Sequence, residues 1–134
     1  MTNLAIARDA DPLAGFERYA SANWDGCGAE PITRATLASA RRFLRLLPDT
    51  LGAPAIAPGA DGTIGLEWSF TDRQLRKLFI DVGPGDVWSG YWRRAAGERK
   101  TLPQRQIDDD TARVLAGLFQ ELGNSLSSAQ PTNT

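Results

Sequence analysis

The chain has 134 residues, 42% of them apolar and 23% charged, and a formal net charge of −1. That length suits one domain with a core large enough to need neither metal nor disulfide, and the charge balance gives no global attraction to nucleic acid or to an anionic membrane. Histidine is absent and Cys27 is the single cysteine, which removes Ser-His-Asp and Cys-His catalysis, histidine zinc sites and an intrachain disulfide.

Met1 to Ala10 contains Arg8 and Asp9 and no continuous apolar stretch, so it reads as no secretory signal. No run approaches the roughly 18 apolar residues of a membrane span. A cytoplasmic protein without a membrane partner is the expectation. Asp11-Pro12 resembles an N-cap with proline at the first helical position, and Leu13, Phe16 and Ala20 follow at helical spacing. The pattern predicts a helix over 12–21.

Asn23-Trp24-Asp25-Gly26-Cys27-Gly28-Ala29-Glu30-Pro31-Ile32 then reads as a loop, with two glycines, a proline and an Asp-Gly pair. Trp24 is expected to pack into the core from this junction. Gly26-Cys27-Gly28 has the look of a phosphate-cradling turn, but it lacks the P-loop lysine and no strand precedes it. Plain turn chemistry is the better reading.

Thr33 is a candidate N-cap with Ile32 as staple residue. Leu37, Ala40, Leu44 and Leu47 form an apolar stripe broadened by Phe43, and Pro48 stops the helix. Arg34, Arg41, Arg42 and Arg45 lie on the other side, with no acid at i+4 inside the helix. After a Pro/Ala/Gly connector with a short edge strand around 55–57, Ile64, Leu66, Trp68 and Phe70 alternate with small or polar residues, as a half-buried strand requires. Thr71-Asp72-Arg73-Gln74 turns the chain. The next strand, 76–82, turns Leu78, Ile80 and Val82 inward and Lys77, Phe79 and Asp81 outward. Gly83-Pro84-Gly85-Asp86 is a turn. A strand over 87–93 and a short one over 98–102 complete an antiparallel meander. Asp108-Asp109-Asp110 opens a last helix with Val114, Leu115, Leu118, Phe119 and Leu122 as its stripe and Gly123 as its C′ residue.

The expected architecture is α+β: an antiparallel sheet of three to five strands, with two N-terminal helices and one C-terminal helix packed mainly on one face. The inward strand rows should meet Phe16, Leu37, Leu44, Leu115, Leu118 and Phe119. Residues 1–123 form the domain, and 124–134, rich in Ser, Asn, Thr and Gln, read as a disordered tail.

Asn-Trp-Asp-Gly-x-Gly-Ala-x-Pro-Ile at 23–32, Phe43-Leu44 and Leu46-Leu47-Pro48, and Asp61-Gly62, Ile64 and Leu66-Glu67-Trp68 together resemble a group of small, uncharacterised bacterial proteins. Such proteins look like cargo of mobile or accessory gene clusters. Cys27 departs from the aromatic or small residue expected at its place. The resemblance covers about residues 20–92 and implies no activity, so no catalytic residue is carried over.

Two constellations carry weight. Glu67 and Asp81 project from adjacent strands and could form an acid–base pair, although a solvated face with Lys77 neutralising Glu67 is the plainer reading. The strand Val87-Trp88-Ser89-Gly90-Tyr91-Trp92-Arg93-Arg94 has aromatics on both sides, with Trp88 and Trp92 on one and Tyr91 and Arg93 on the other. Either helices bury both faces, or one is open to a partner.

Three readings compete. The first is a non-enzymatic protein-binding module of a bacterial conflict or accessory system, of inhibitor, antitoxin or immunity type. It needs no cofactor, and its partner surface is Tyr91, Arg93 and Arg94 with Arg41 and Arg45 as a second contact. The second is a nucleic-acid-binding module using Arg41, Arg45, Arg93, Arg94, Arg99 and Lys100 with the aromatics. The weakest is a carboxylate enzyme built on Glu67 and Asp81.

Overall fold

The computed structural model describes residues 11–47, 51–71 and 74–121. The expected tail over 124–134, Leu122, the Gly123 terminus, the Pro48 stop, Met1–Ala10 and Asp72-Arg73 lie outside the described residues, as does the side chain of Phe119.

Five strands form one antiparallel sheet in the order β1-β2-β3-β4-β5: β1 Ala55–Pro58, β2 Ile64–Ser69, β3 Leu75–Gly83, β4 Val87–Arg94 and β5 Arg99–Gln106. Sequence order and spatial order coincide because every connection is short enough for a hairpin. Two α-helices accompany the sheet among the described residues, α1 Arg34–Arg45 before it and α2 Thr111–Glu121 after it.

The first expected helix is not one. Residues 16–19 make a single 3-10 turn, and among the described residues one α-helix precedes the sheet where two are expected. Gly15 explains the difference: its φ of 87° is left-handed, and a right-handed helix cannot run through it. Leu13 and Phe16 still reach the core, so the apolar spacing reflects burial without a helix.

Thr33 caps α1 as expected, its Oγ1 accepting from the Thr36 N–H at 3.1 Å. The buried line of α1 passes through Leu37, Ala40 and Phe43, while Leu44 and Leu47 are half-buried at its side. One core cluster joins this line to Ile64, Leu66 and Trp68 of β2, Leu78, Ile80 and Val82 of β3, Trp88 and Trp92 of β4, and Leu115 and Leu118 of α2. Both helices therefore pack on the same sheet face.

β5 is longer than expected and runs through Pro103. It is an edge strand, so a missing N–H on its outer side breaks no ladder. The register also slips there: Gly90 pairs with Leu102 but Trp88 with Arg105, a bulge around the proline. Gly90 lies where β3 passes closest, because a Cβ there would sit 2.0 Å from the Phe79 carbonyl oxygen.

Trp24 does not enter the core. It is half-buried on the connector, edge-on to Tyr19 with centroids 4.9 Å apart, and its Nε1–H donates to the Glu30 carbonyl at 2.8 Å.

Candidate functional site

The sheet face opposite the helices is a regular grid set by the register. On β2 it carries Gly65 and Glu67, on β3 Lys77, Phe79 and Asp81, on β4 Ser89, Tyr91 and Arg93, and on β5 Arg99 and Thr101. No helix among the described residues covers it.

Across this grid run three rows. Lys77, Arg93 and Arg99 are directly opposed on β3, β4 and β5. Beside them stand Phe79, Tyr91 and Thr101. Asp81 and Ser89 come next. In the middle row the Phe79 and Tyr91 rings stack at 5.7 Å with 30° between their planes. The Arg99 guanidinium reaches across to lie 4.1 Å from the Tyr91 centroid, a cation–π contact. Tyr91 thus stands between an aromatic from β3 and a cation from β5. Phe79 leans over Gly65, where a Cβ would meet its ring at 3.1 Å. Both rings remain half-buried.

The cation row is unevenly compensated. Lys77 Nζ lies 3.4 Å from Glu67 Oε2. Arg93 is exposed and has no ion-pair partner among the described residues, yet its cross-strand neighbours on both sides are cations. Like charges directly opposite one another destabilise a sheet. This half of the face holds uncancelled positive charge beside apolar rings.

The register also decides the carboxylates. Asp81 opposes Gly65 and Glu67 opposes Phe79, so the two acids are diagonal and each has other company. Glu67 is held by Lys77, the plainer of its two readings. Burial pushes the Asp81 carboxyl up, a hydrogen bond from Thr63 pulls it back, and the nearby Asp61 charge raises it further. No shared acid–base geometry arises.

The five expected partner residues do not lie together. Tyr91 and Arg93 share the open face. Arg94 is on the other side of β4, its guanidinium 4.8 Å from the Trp92 ring centroid and its Nη1 3.3 Å from Glu98 Oε1. Arg41 and Arg45 lie on α1, in the opposite layer. Arg41 makes a forked ion pair with Asp11, Nη2 to Oδ2 at 2.8 Å, which holds the Asp11 carboxyl below its usual range. Arg42 pairs with Asp86, whose other oxygen accepts from Ser39 Oγ. Arg41 and Arg42 thus find their acids far away in sequence and not within the helix. Arg45 is exposed and unpaired among the described residues. Phe79 and Arg99 also belong to the open face; the sequence points to Arg99 only under the nucleic-acid reading, and the signal for Phe79 is its outward parity opposite Tyr91.

The glycine-rich connector is closed by its own side chains. Asp25 Oδ1 accepts from the Cys27 N–H at 2.7 Å and the Ala29 N–H at 3.1 Å, and Asn23 Oδ1 accepts from the Gly28 N–H at 2.6 Å. Left-handed backbone at Asn23, Gly26 and Gly28 makes this possible. Three successive amides that could have faced a phosphate are therefore occupied. The Asn-Trp-Asp-Gly-x-Gly-Ala run has a structural reason for each of its polar residues.

No protein-family model, curated protein or solved structure matches this chain. No helix among the described residues is long and apolar enough to cross a membrane.

Proposed function

We propose that the protein is a non-enzymatic protein-binding module of inhibitor, antitoxin or immunity type, serving a bacterial conflict or accessory system and needing no cofactor. The binding surface is the open sheet face around Phe79, Tyr91, Arg93 and Arg99. The observation that carries the reading is the row of opposed cations beside a row of half-buried rings, on a face no described helix covers. Aromatic and arginine side chains are the usual anchors of protein interfaces. A partner that brings carboxylates and an apolar patch relieves the Arg93–Arg99 repulsion and covers the rings in one step.

The sheet edges are poor alternatives. β1 is short and bounded by Pro54 and Pro58, and β5 carries Pro103, Arg99, Lys100 and Arg105. Such edges resist strand addition. The cation row also supports a second reading, single-stranded nucleic acid. It is the weaker one, because Phe79 and Arg99 flank the Tyr91 ring that a base would stack on.

Affinity capture from the native host tests the proposal, with the wild-type chain and a Tyr91→Ala/Arg93→Ala variant as parallel baits. The expected result is a protein retained by the first and lost by the second. Oligonucleotides retained instead, with affinity falling steeply in salt, would replace the proposal with the second reading.

A further inference from the structure

On the helix-covered side of the sheet, α2 and β5 leave a groove of about 350 Å³ between them, within the range of small-molecule sites. Trp88 and Leu102 line it from the sheet, and Val114 and Leu118 line it from α2. Lys100, Arg105 and Arg113 stand around the same groove. Arg113 shares its charge with Asp110 at 2.9 Å, and Arg105 is exposed without an ion-pair partner among the described residues. The walls are thus apolar, with the Arg105 charge beside them.

Two further observations point to a ligand. Trp88 is 2% exposed, yet its Nε1–H finds no acceptor among the described residues. Buried donors are nearly always paired. Gly117, in the interior of α2, also lines the groove, and a Cβ built on it meets nothing within 4 Å. Glycine weakens a helix interior relative to alanine, and no packing in the free protein requires it here. Its missing side chain keeps the groove open.

We propose that this groove binds a small amphipathic anion, an apolar body ending in a carboxylate. Trp88, Leu102, Val114 and Leu118 desolvate the body. Arg105 and Arg113 offer the guanidinium forks that carboxylates match. The site lies on the opposite side of the sheet from Tyr91 and Arg93, so it is independent of the protein-binding face.

Calorimetric titration of the full chain with dodecanoate below its micellar concentration tests this. One-to-one binding is expected, weakened by salt and at least tenfold weaker in an Arg105→Ala/Arg113→Ala variant. Gly117→Leu fills the groove and should abolish binding, whereas Gly117→Ala should raise the melting temperature. The Tyr91→Ala/Arg93→Ala variant should bind dodecanoate like wild type. Absence of saturable binding would overturn the proposal. So would wild-type affinity in the folded Arg105→Ala/Arg113→Ala variant, which keeps the test decisive even if Gly117→Leu fails to fold.

Discussion

One strand, β4, gives the sheet two unlike faces. Trp88 and Trp92 point under the helices and are 2% and 1% exposed. Tyr91 and Arg93 point the other way, onto a face where rings are half-buried and cations oppose one another. The first face keeps large apolar groups from water even at the cost of leaving both indole N–H groups without acceptors among the described residues. On the second, uncancelled charge is left standing beside exposed ring surface. Burial of large apolar groups accounts for the first arrangement and not for the second.

The comparison breaks most easily at the tryptophans. Trp92→Ala should cost about 3–5 kcal/mol, as deletions of core aromatics do, whereas Tyr91→Ala should cost only about 1 kcal/mol, the scale of an aromatic pair. Urea denaturation of both variants measures the gap. Equal losses would mean that the open face is part of the structural core.

A smaller effect is expected in the connector. Asp25→Ala leaves the Cys27 and Ala29 amides without their acceptor. A loss of about 1–2 kcal/mol should follow, with faster amide exchange confined to residues 23–30. Unchanged exchange there would show that the loop does not depend on its own side chains.

The smallest effects are in the acid range, and their signs differ between layers. Ser39 first, and then Arg42, hold the Asp86 carboxyl below its ordinary value. Its contribution to stability is present above the unfolded-state pKa and lost as pH falls through the depressed folded one. Asp81 on the open face runs the other way. Burial raises its pKa, so its charge weakens the fold at neutral pH, and protonation below the raised value removes that penalty. Asp81→Asn should therefore stabilise the protein at pH 7, and the gain should shrink on acidification. Denaturation midpoints of wild type and variant across the acid range check this; a gain that grows toward low pH contradicts the assigned sign.

Much of this was legible in the sequence, for physical reasons that can be named. Strict alternation in Ile64–Phe70 and Leu78–Val82 set strand and facing, because a one-residue slip would turn every core side chain to water. The parity of Trp88 and Tyr91 was equally plain. The N-terminal helix was misread because Leu13 and Phe16 have helical spacing, while Gly15 between them takes a left-handed conformation that spacing does not report. β5 was cut short at Pro103 because proline breaks a central strand, and nothing in the sequence says which strand is the edge. The pairs Arg41–Asp11 and Arg42–Asp86 join residues 30 and 44 apart in the chain, beyond any local pattern. Trp24 was placed in the core on size alone; its indole N–H found a loop carbonyl instead.

We propose that the Tyr91 face binds a partner and contributes little to holding the fold. Measuring stability and affinity on one sample of the Tyr91→Ala/Arg93→Ala variant, against the protein captured by wild type, tests it most directly. The prediction is an unfolding free energy within about 1–2 kcal/mol of wild type, together with a loss of binding of about 2 kcal/mol or more, roughly thirtyfold. A folded variant that binds with wild-type affinity would contradict it.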